Sequence, residues 1–355
     1  MSVRIKRLLK RIISYAGIFF FILAVAMLCW QLRNCEWNKV WNAMIQIPHI
    51  NLIMACIACL AGYFALSLYD FMALHYVGEA KKVVWWKWML AGMLGFAISN
   101  NAGSAVVSGG AIRYRLYTRW RIRGGDIVKM LTLSGITYTL GCAALIVIGY
   151  FVTPPEAMEK LSTGANIGFG ALFIGCLSAL AAYFIATMLF HKKNVKIGKL
   201  QFEIPTTKMA VLQMILGIVD GTLAGLVLYA CIKPFWDVPF GEFIGLFAIA
   251  QNVGVFSQVP GGLAVFDTIF LEFVRVMAPE GQDIIPGITA ALVIYRIIYY
   301  VLPLLGLGGL FFIYERWLRA HIKRILAEAK SKMGTVKDKI EHLPRPHIPG
   351  RRNKK

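Results

Sequence analysis

The sequence predicts an all-α polytopic membrane protein with about six crossing helices and two re-entrant helical hairpins related as an inverted repeat. Three observations support this fold class. The 355-residue chain is 58% hydrophobic and has a mean hydropathy of +0.63, which is more apolar surface than a soluble domain can bury. Runs of about 20 apolar residues, the length that crosses roughly 30 Å of hydrocarbon, recur along the chain. Two further apolar segments are interrupted by short breaks of similar sequence.

The uninterrupted apolar runs predict six spans, at 15–32, 51–74, 127–152, 167–190, 209–231 and 286–314. Together with the two broken segments they form one predicted transmembrane domain, residues 15–314. A basic N-terminus (1–14) and a basic tail (315–355) flank this domain. The first span could instead be a signal peptide, because basic residues precede it, but its apolar run continues past the candidate cleavage site, so we favour an uncleaved span.

The two broken segments, 86–112 and 242–276, resemble each other. FAISNNAGSAVVSGGA begins at Phe96 and FAIAQNVGVFSQVPGGLA begins at Phe247. We predict that each break is the turn of a hairpin, because glycine permits tight turns and close helix approach. The alternative for each glycine is a role in packing alone. The predicted hinge residues are Asn101, Gly103, Gly109, Gly110, Asn252, Gly254, Pro260, Gly261 and Gly262.

The two hairpins are expected to enter the membrane from opposite faces, because three predicted spans separate them. This arrangement is an inverted repeat, and transporters with inverted repeats bind their substrates where interrupted helices meet near the bilayer midplane. Non-helical backbone at that depth must be covered by protein or line a water-filled cavity. The sequence therefore predicts a buried polar cavity between the hairpins.

The distribution of basic residues favours re-entrant hairpins. If both broken segments return to the side from which they enter and the N-terminus is cytoplasmic, 31 of the 38 Lys and Arg residues fall in predicted cytoplasmic segments and 5 in external ones. If both segments crossed once, the basic loops 113–126 and 191–208 would face outside, against the positive-inside rule. We therefore expect both termini on the cytoplasmic side.

The net charge of +20 does not indicate nucleic-acid binding, because the charges lie in short loops between apolar spans. Anionic lipid headgroups are the better match for them. Arg113 and Arg115 lie closest to the first glycine break, and we predict that they bind lipid headgroups through charge and bidentate hydrogen bonds. The alternative is that the arginines of this loop only set the membrane topology.

Charged residues inside predicted spans are functional candidates, because each costs roughly 2.5–3.5 kcal/mol on insertion scales. Asp267 follows the second break and Arg296 lies well inside the last span, so we expect an ion pair between them in the cavity. A purely structural pair is the alternative. Asp70 and Asp220 are secondary candidates, and the alternative for Asp70 is a position at the membrane interface.

Sequence motifs for catalysis are missing. The six histidines lie at span ends, in loops or in the tail, and the chain contains no H-E-x-x-H and no G-x-x-x-x-G-K-[ST]. We therefore expect no enzymatic activity, no catalytic residues, no metal ion and no cofactor.

Three motifs resemble those of the YbhN-type inner-membrane proteins of Gram-negative bacteria: GGAIRYRLY at 109–117, VPGGLAVFDTIFL at 259–271 and YRIIYYVLPLL at 295–305. These proteins belong with the lysylphosphatidylglycerol synthetase transmembrane-region family, and the resemblance covers nearly the whole chain. The return leg of the second hairpin usually carries Gly-x-x-Glu in this family, whereas this chain has the shorter Asp267 there.

The resemblance implies lipid movement. In the multiple peptide resistance factor, a membrane domain of this family flips lysyl-phosphatidylglycerol and is fused to a cytoplasmic aminoacyl transferase. The 41-residue tail here is too short for such a transferase. The implied function is a phospholipid transporter or flippase of the bacterial inner membrane, moving an anionic phospholipid such as cardiolipin or (lysyl-)phosphatidylglycerol.

Two other classes of function stay open. One is a membrane enzyme acting on a lipid-linked substrate, with Asp267 or Asp220 as the acid. The other is a non-transporting scaffold of the envelope lipid machinery. The expected partners are the bilayer and an anionic phospholipid, together with a second copy of the chain or envelope lipid-transport proteins.

Overall fold

The computed structural model describes residues 37–102, 105–155, 159, 168–191, 193–197, 200–257, 259–262, 264–278, 284–314 and 316. The predicted N-terminus 1–14, the predicted span 15–32, the hinge residue Gly103 and all of the tail 315–355 except Arg316 lie outside these residues. The chain groups into two units, Met1–Leu307 and Gly308–Lys355. In the second unit, the described residues are the last turns of a helix and Arg316.

The described residues are mainly helical. The helices are α1 (Trp37–Gln46), α2 (His49–Tyr76), α3 (Trp85–Ala102), α4 (Ala105–Arg119), α5 (Gly124–Val152), α6 (Phe169–Phe190), α7 (Thr207–Ile232), α8 (Phe240–Phe256), α9 (Val265–Met277) and α10 (Ile285–Tyr314). Helix α10 contains a π-helical turn at Ile297–Val301, and 3₁₀ turns lie at Ala80–Lys82 and Pro260–Gly262. Strands β1 (Asn194–Ile197) and β2 (Leu200–Glu203) pair in an antiparallel hairpin.

Five of the described helices, α2, α5, α6, α7 and α10, are long and apolar enough to cross a membrane. They coincide with five of the six predicted spans. Their backbone polar groups are satisfied within each helix, which is what the hydrocarbon region requires of a spanning segment. The chain is therefore an all-α multi-pass membrane protein.

Each broken segment folds into two helices that pack against each other: α3 with α4, and α8 with α9. The return helices have 15 and 13 residues. At 1.5 Å per residue these helices are only about 22 and 20 Å long, less than the roughly 30 Å of a hydrocarbon core. Both segments therefore have the dimensions of re-entrant hairpins.

The first hairpin returns to the face from which it enters. The relative direction of α2, before the hairpin, and α7, three spans later in the chain, shows this. Asn51 at the start of α2 donates to the carbonyl oxygen of Ala230 at the end of α7, at 2.7 Å. At the other end of α2, Tyr76 Oη donates to the carbonyl oxygen of Glu203, just before α7 begins, at 2.5 Å. Helices α2 and α7 are thus antiparallel, whereas one extra crossing between them would make them parallel.

The second hairpin also begins and ends on one face. Phe235, in the turn before α8, lies against Gly287 in the first turn of α10, and a Cβ atom on Gly287 would be 2.5 Å from the Phe235 ring. The residues before and after the hairpin are therefore neighbours.

Two predicted loops contain secondary structure that the hydropathy pattern did not indicate. The predicted external loop 33–50 contains α1, because Val40 and Ala43 form an apolar face that is buried against Ala290 of α10. The predicted loop 191–208 contains the β1–β2 hairpin. Both elements are shorter than a span, so the spans themselves are unchanged.

The structure corrects the predicted position of the first turn. Gly109 and Gly110 lie inside α4, which begins at Ala105, so they do not form the turn of the hairpin. A Cβ atom on Gly109 would be 1.9 Å from Ser99 Oγ and 2.5 Å from the carbonyl oxygen of Gly95. Gly109 is therefore needed because α3 and α4 approach each other closely, which is the packing role of glycine in membrane helices.

The second turn is built differently. Gly261 and Gly262 have φ angles of +63° and +60°, in the left-handed region that glycine adopts without strain, and with Pro260 they form the 3₁₀ turn at the tip. Asn252 and Gly254 lie in the last turn of α8, and Asn101 lies in the last turn of α3. These three residues precede the breaks and do not form them.

Candidate functional site

The two hairpins meet at a cavity of about 180 Å³. Phe96 and Arg113 of the first hairpin and Gly261 and Gly262 at the tip of the second line this cavity, and α7 contributes Asp220. The remaining walls come from α2, α5 and α10. A cavity with charged groups in its wall therefore lies where the sequence predicted that the interrupted helices would meet.

Arg113 forms a buried ion pair with Asp70. Its Nε atom donates to both carboxylate oxygens of Asp70, at 2.9 and 3.1 Å, and Tyr117 Oη donates to Asp70 Oδ2 at 2.7 Å. The guanidinium carbon lies 4.2 Å from the centre of the Phe96 ring, within the range of a cation–π interaction. Asp70 is 1% exposed and Arg113 is 4% exposed, so the pair is buried within the protein.

Arg113 and Arg115 do not act from the same surface. They are two residues apart on α4, and because a helix has 3.6 residues per turn such residues point in nearly opposite directions. Arg113 faces the cavity, whereas Arg115 is exposed. Of the two arginines predicted to bind headgroups, Arg113 therefore lines the cavity and Arg115 does not.

Asp220 lines the cavity without a basic partner. It is 4% exposed, and its Oδ2 atom accepts a hydrogen bond from Tyr69 Oη at 3.0 Å. Its Oδ1 atom has no hydrogen-bond partner, and neither has the buried hydroxyl of Tyr138 in the same cavity wall. No Lys or Arg among the described residues lies within ion-pair distance of this carboxyl group.

Asp267 and Arg296, which the sequence analysis expected to pair, are in contact. Arg296 Nη2 is 2.5 Å from Asp267 Oδ2, and Arg296 Nε is 3.2 Å from Oδ1. Arg296 Nη1 also donates to the carbonyl oxygen of Gly261 at 3.1 Å, and Asp267 accepts from the amide of Ala264 ahead of α9. Neither side chain lines the cavity. The pair lies behind the tip of the second hairpin and holds it to α10.

The matched asparagines of the two segments make equivalent contacts. Asn101 donates to the carbonyl oxygen of Ala97 at 2.7 Å and to that of Tyr300 at 3.1 Å. Asn252 donates to the carbonyl oxygen of Ala248 at 2.8 Å. Both side chains thus bond the residue four positions earlier, at the end of the first helix of each hairpin. This correspondence extends the sequence similarity of the two segments to their structures.

The Asp70–Arg113 pair was missed by sequence reasoning, although the sequence carries a signal for the position of Asp70. Asp70 precedes Phe96 by 26 residues, and Asp220 precedes Phe247 by 27. The two acids therefore occupy corresponding positions, each in the span before a hairpin. This similar spacing is the signal in the sequence that relates Asp70 to Asp220.

No protein-family model matches the chain. The Uncharacterized protein slr0712 of Synechocystis is 30% identical over 292 residues, which cover 81% of this chain and 87% of the relative. Inner membrane protein YbhN of Escherichia coli is 27% identical over 305 residues, covering 84% of this chain and 90% of the relative.

A third similarity is partial. Phosphatidylglycerol lysyltransferase of Staphylococcus xylosus is 32% identical over 88 residues, which are 24% of this chain and 10% of the relative. The two relatives described first match across most of their length, so they show the family. This chain belongs to the YbhN-type family of multi-pass membrane proteins, which is related to the phosphatidylglycerol lysyltransferases.

Proposed function

We propose that the protein is a phospholipid transporter or flippase of a bacterial inner membrane, and that it moves an anionic phospholipid through the cavity between the two hairpins. The observation that carries this proposal is the position of Arg113, a buried cation in the wall of that cavity. A guanidinium group binds phosphate through charge and directed hydrogen bonds. Asp70 holds the guanidinium group in place, and Tyr117 in turn donates to Asp70.

The size of the cavity suits a headgroup. Its volume of about 180 Å³ is below the roughly 300–1,000 Å³ of sites that enclose drug-sized ligands. Acyl chains do not need such a site, because the hydrocarbon of the bilayer already solvates them. A lipid can therefore place its phosphate group in the cavity while its chains stay in the membrane.

The relatives support a lipid substrate without identifying it. YbhN is named as an inner membrane protein, and the lysyltransferase is named for its action on phosphatidylglycerol. The basic surface of the chain, with its net charge of +20, favours anionic lipids such as cardiolipin or (lysyl-)phosphatidylglycerol. We propose transport in preference to catalysis or a scaffold role because the two hairpins form an inverted pair around the cavity, as in known transporter folds.

The test is lipid flipping by the purified protein in proteoliposomes. Fluorescent phosphatidylglycerol and cardiolipin are compared with fluorescent phosphatidylcholine, and protein-free vesicles give the background rate. We expect the anionic lipids to flip several times faster than phosphatidylcholine. Flipping at the background rate for every lipid would refute transport and leave the scaffold role, whereas chemical change of a headgroup would indicate an enzyme.

A further inference from the structure

Asp70 and Asp220 occupy corresponding positions in the two halves of the chain, but their surroundings differ in charge. Asp70 has the guanidinium group of Arg113 and the hydroxyl group of Tyr117 on its oxygens. Asp220 has only the hydroxyl group of Tyr69, on one oxygen. Its second oxygen is buried and has no hydrogen-bond partner. One half of the chain thus neutralises its acid with an arginine, and the other half does not.

A carboxylate buried without a cation is costly. Moving an ionised group out of water without a partner costs so much that the group usually becomes neutral instead. Asp220 is only 4% exposed. The single neutral hydroxyl group that bonds it offsets little of the cost of burying a charge. A bound proton removes the charge and supplies a donor for the cavity.

The neighbours of Asp220 do not compete for that proton. Among the described residues of the elements packed around α7, the titratable groups that face Asp220 are phenols and one thiol, which are uncharged at neutral pH. They are Tyr63, Tyr69, Tyr138, Cys142 and Tyr299. Arg113 lines the same cavity, but its Nε atom donates to Asp70, and Asp220 accepts a hydrogen bond from Tyr69 and not from Arg113.

We propose that Asp220 is a proton-binding site, and that it binds its proton together with an anionic headgroup in the cavity. The step is simple: the carboxylate of Asp220 accepts one proton from water and becomes a neutral carboxyl group. The second part of this inference rests on the proposed function, because the headgroup is its anionic partner. The first part rests on the cavity and on Asp220 alone.

The two binding events reinforce each other. An ionised Asp220 repels a phosphate group that enters the same cavity, and a protonated Asp220 does not. Proton binding therefore strengthens headgroup binding, and by reciprocity headgroup binding strengthens proton binding. The affinity for an anionic lipid is accordingly high at low pH and falls as the pH rises through the range in which Asp220 ionises. In a membrane with a proton gradient, this linkage couples lipid movement to proton movement.

Calorimetry measures this linkage directly. Short-chain phosphatidylglycerol is titrated into the purified full-length protein in two buffers of different ionisation enthalpy, which reveals the number of protons taken up. The titrations are repeated at rising pH until Asp220 is ionised in the lipid-free protein, because only an ionised carboxylate can take up a proton. We expect uptake of up to about one proton per lipid, and a dissociation constant that rises by up to about tenfold per pH unit once Asp220 ionises. Asp220→Asn removes both effects. Glu272→Gln, at an exposed acid, leaves both unchanged.

A second readout needs no lipid. The infrared spectrum of the lipid-free protein should contain the C=O stretch of a protonated carboxyl group at neutral pH, which Asp220→Asn abolishes and Glu272→Gln retains. An unchanged band in a folded Asp220→Asn protein would overturn the proton site.

The two assays separate the two proposals. If phosphatidylglycerol does not bind the wild-type protein, the proposed function fails, and the infrared band alone decides whether Asp220 binds a proton. If phosphatidylglycerol binds without proton uptake, the coupling is refuted while the proposed lipid binding stands. Equal proton uptake by wild type and Asp220→Asn would assign the proton to another group and overturn the inference.

Discussion

Arg296 holds Asp267 and the tip of the second hairpin with a single guanidinium group. Its Nε and Nη2 atoms donate to the carboxylate, and its Nη1 atom donates to the carbonyl oxygen of Gly261. The tip contains two glycines with positive φ angles, and its 3₁₀ turn is closed by the bond from the Gly262 amide to the carbonyl oxygen of Val259. The ion pair adds to this bond in fixing the turn that forms one wall of the cavity.

Loss of either partner should destabilise the protein more than loss of both. We expect Asp267→Asn or Arg296→Gln alone to cost about 3–5 kcal/mol, because each leaves a buried charge without its partner. The double variant should cost less than either single replacement, because it leaves no buried charge without a partner. Unfolding in detergent by increasing denaturant measures all four members of this double-mutant cycle.

The same four proteins distinguish a structural pair from a functional one. Additive losses would show that the two residues are not coupled. If the double variant is coupled in stability and flips lipid at the wild-type rate, the pair only braces the hairpin. If its flipping is lost while it remains folded, the pair takes part in transport.

Arg113 and Arg115 should respond differently to the same replacement. Arg113→Gln removes the partner of buried Asp70, so we expect a loss of stability of about 3–5 kcal/mol and weaker binding of anionic lipid. Arg115→Gln changes an exposed residue, for which losses are usually within about 0.5 kcal/mol. Thermal unfolding and lipid binding are measured for both. Equal effects of the two replacements would contradict the assignment of Arg113 alone to the cavity.

Close contact between α5 and α7 should make Gly141 sensitive to a single methyl group. A Cβ atom at this position would lie 2.2 Å from the carbonyl carbon of Gly217, so the helices must separate to admit it. We expect Gly141→Ala to destabilise the protein by about 1–3 kcal/mol. The matched control is Gly175→Ala on α6, where nothing lies within 4 Å and alanine favours the helix. Denaturant unfolding measures both losses of stability. A larger loss from Gly175→Ala than from Gly141→Ala would contradict this packing.

The re-entrant topology predicts which introduced cysteines can be labelled from outside intact cells. In a cysteine-free background, Lys82→Cys and Arg119→Cys flank the first hairpin, and both should be labelled only after permeabilisation. Asp237→Cys, before the second hairpin, should be labelled in intact cells, as should positions in 153–166. Labelling of Lys82→Cys and Arg119→Cys from opposite sides would show that the first segment crosses the membrane.

The spans could be predicted from sequence because hydropathy and charge act locally. Apolar runs of the right length and the position of basic loops identified five described helices and favoured two returning segments. The short helix α1 was missed because it is too short to be stable alone and is stabilised by packing on α10.

The site was harder to predict because it is assembled from distant residues. Asp70 and Arg113 are 43 positions apart, and only the folding of the first hairpin onto α2 brings them together. Gly109 and Gly110 match Gly261 and Gly262 in sequence. Glycine can serve either close packing or a left-handed turn. The first pair lies inside a helix and the second forms a turn, and the sequence does not distinguish the two roles. Asp267 and Arg296 were predictable because an isolated charge deep in a span needs a partner.

The most direct measurement is lipid flipping before and after the cavity is blocked chemically. Ser134 lies in the cavity wall on α5 and is buried, so a cysteine at this position can carry a bulky thiol reagent into the cavity. The background lacks the native cysteines, and its flipping rate is the reference. Gly175→Cys, on the exposed surface of α6, is the matched control. Mass spectrometry measures the extent of modification in both variants.

We expect modification of Ser134→Cys to reduce the flipping of phosphatidylglycerol to the rate of protein-free vesicles, and a reductant that releases the reagent to restore it. Modification of Gly175→Cys should leave the rate unchanged. Because the same folded protein is compared before and after, a loss of folding cannot imitate this result. Unchanged flipping in fully modified Ser134→Cys would contradict passage of the headgroup through the cavity between the hairpins.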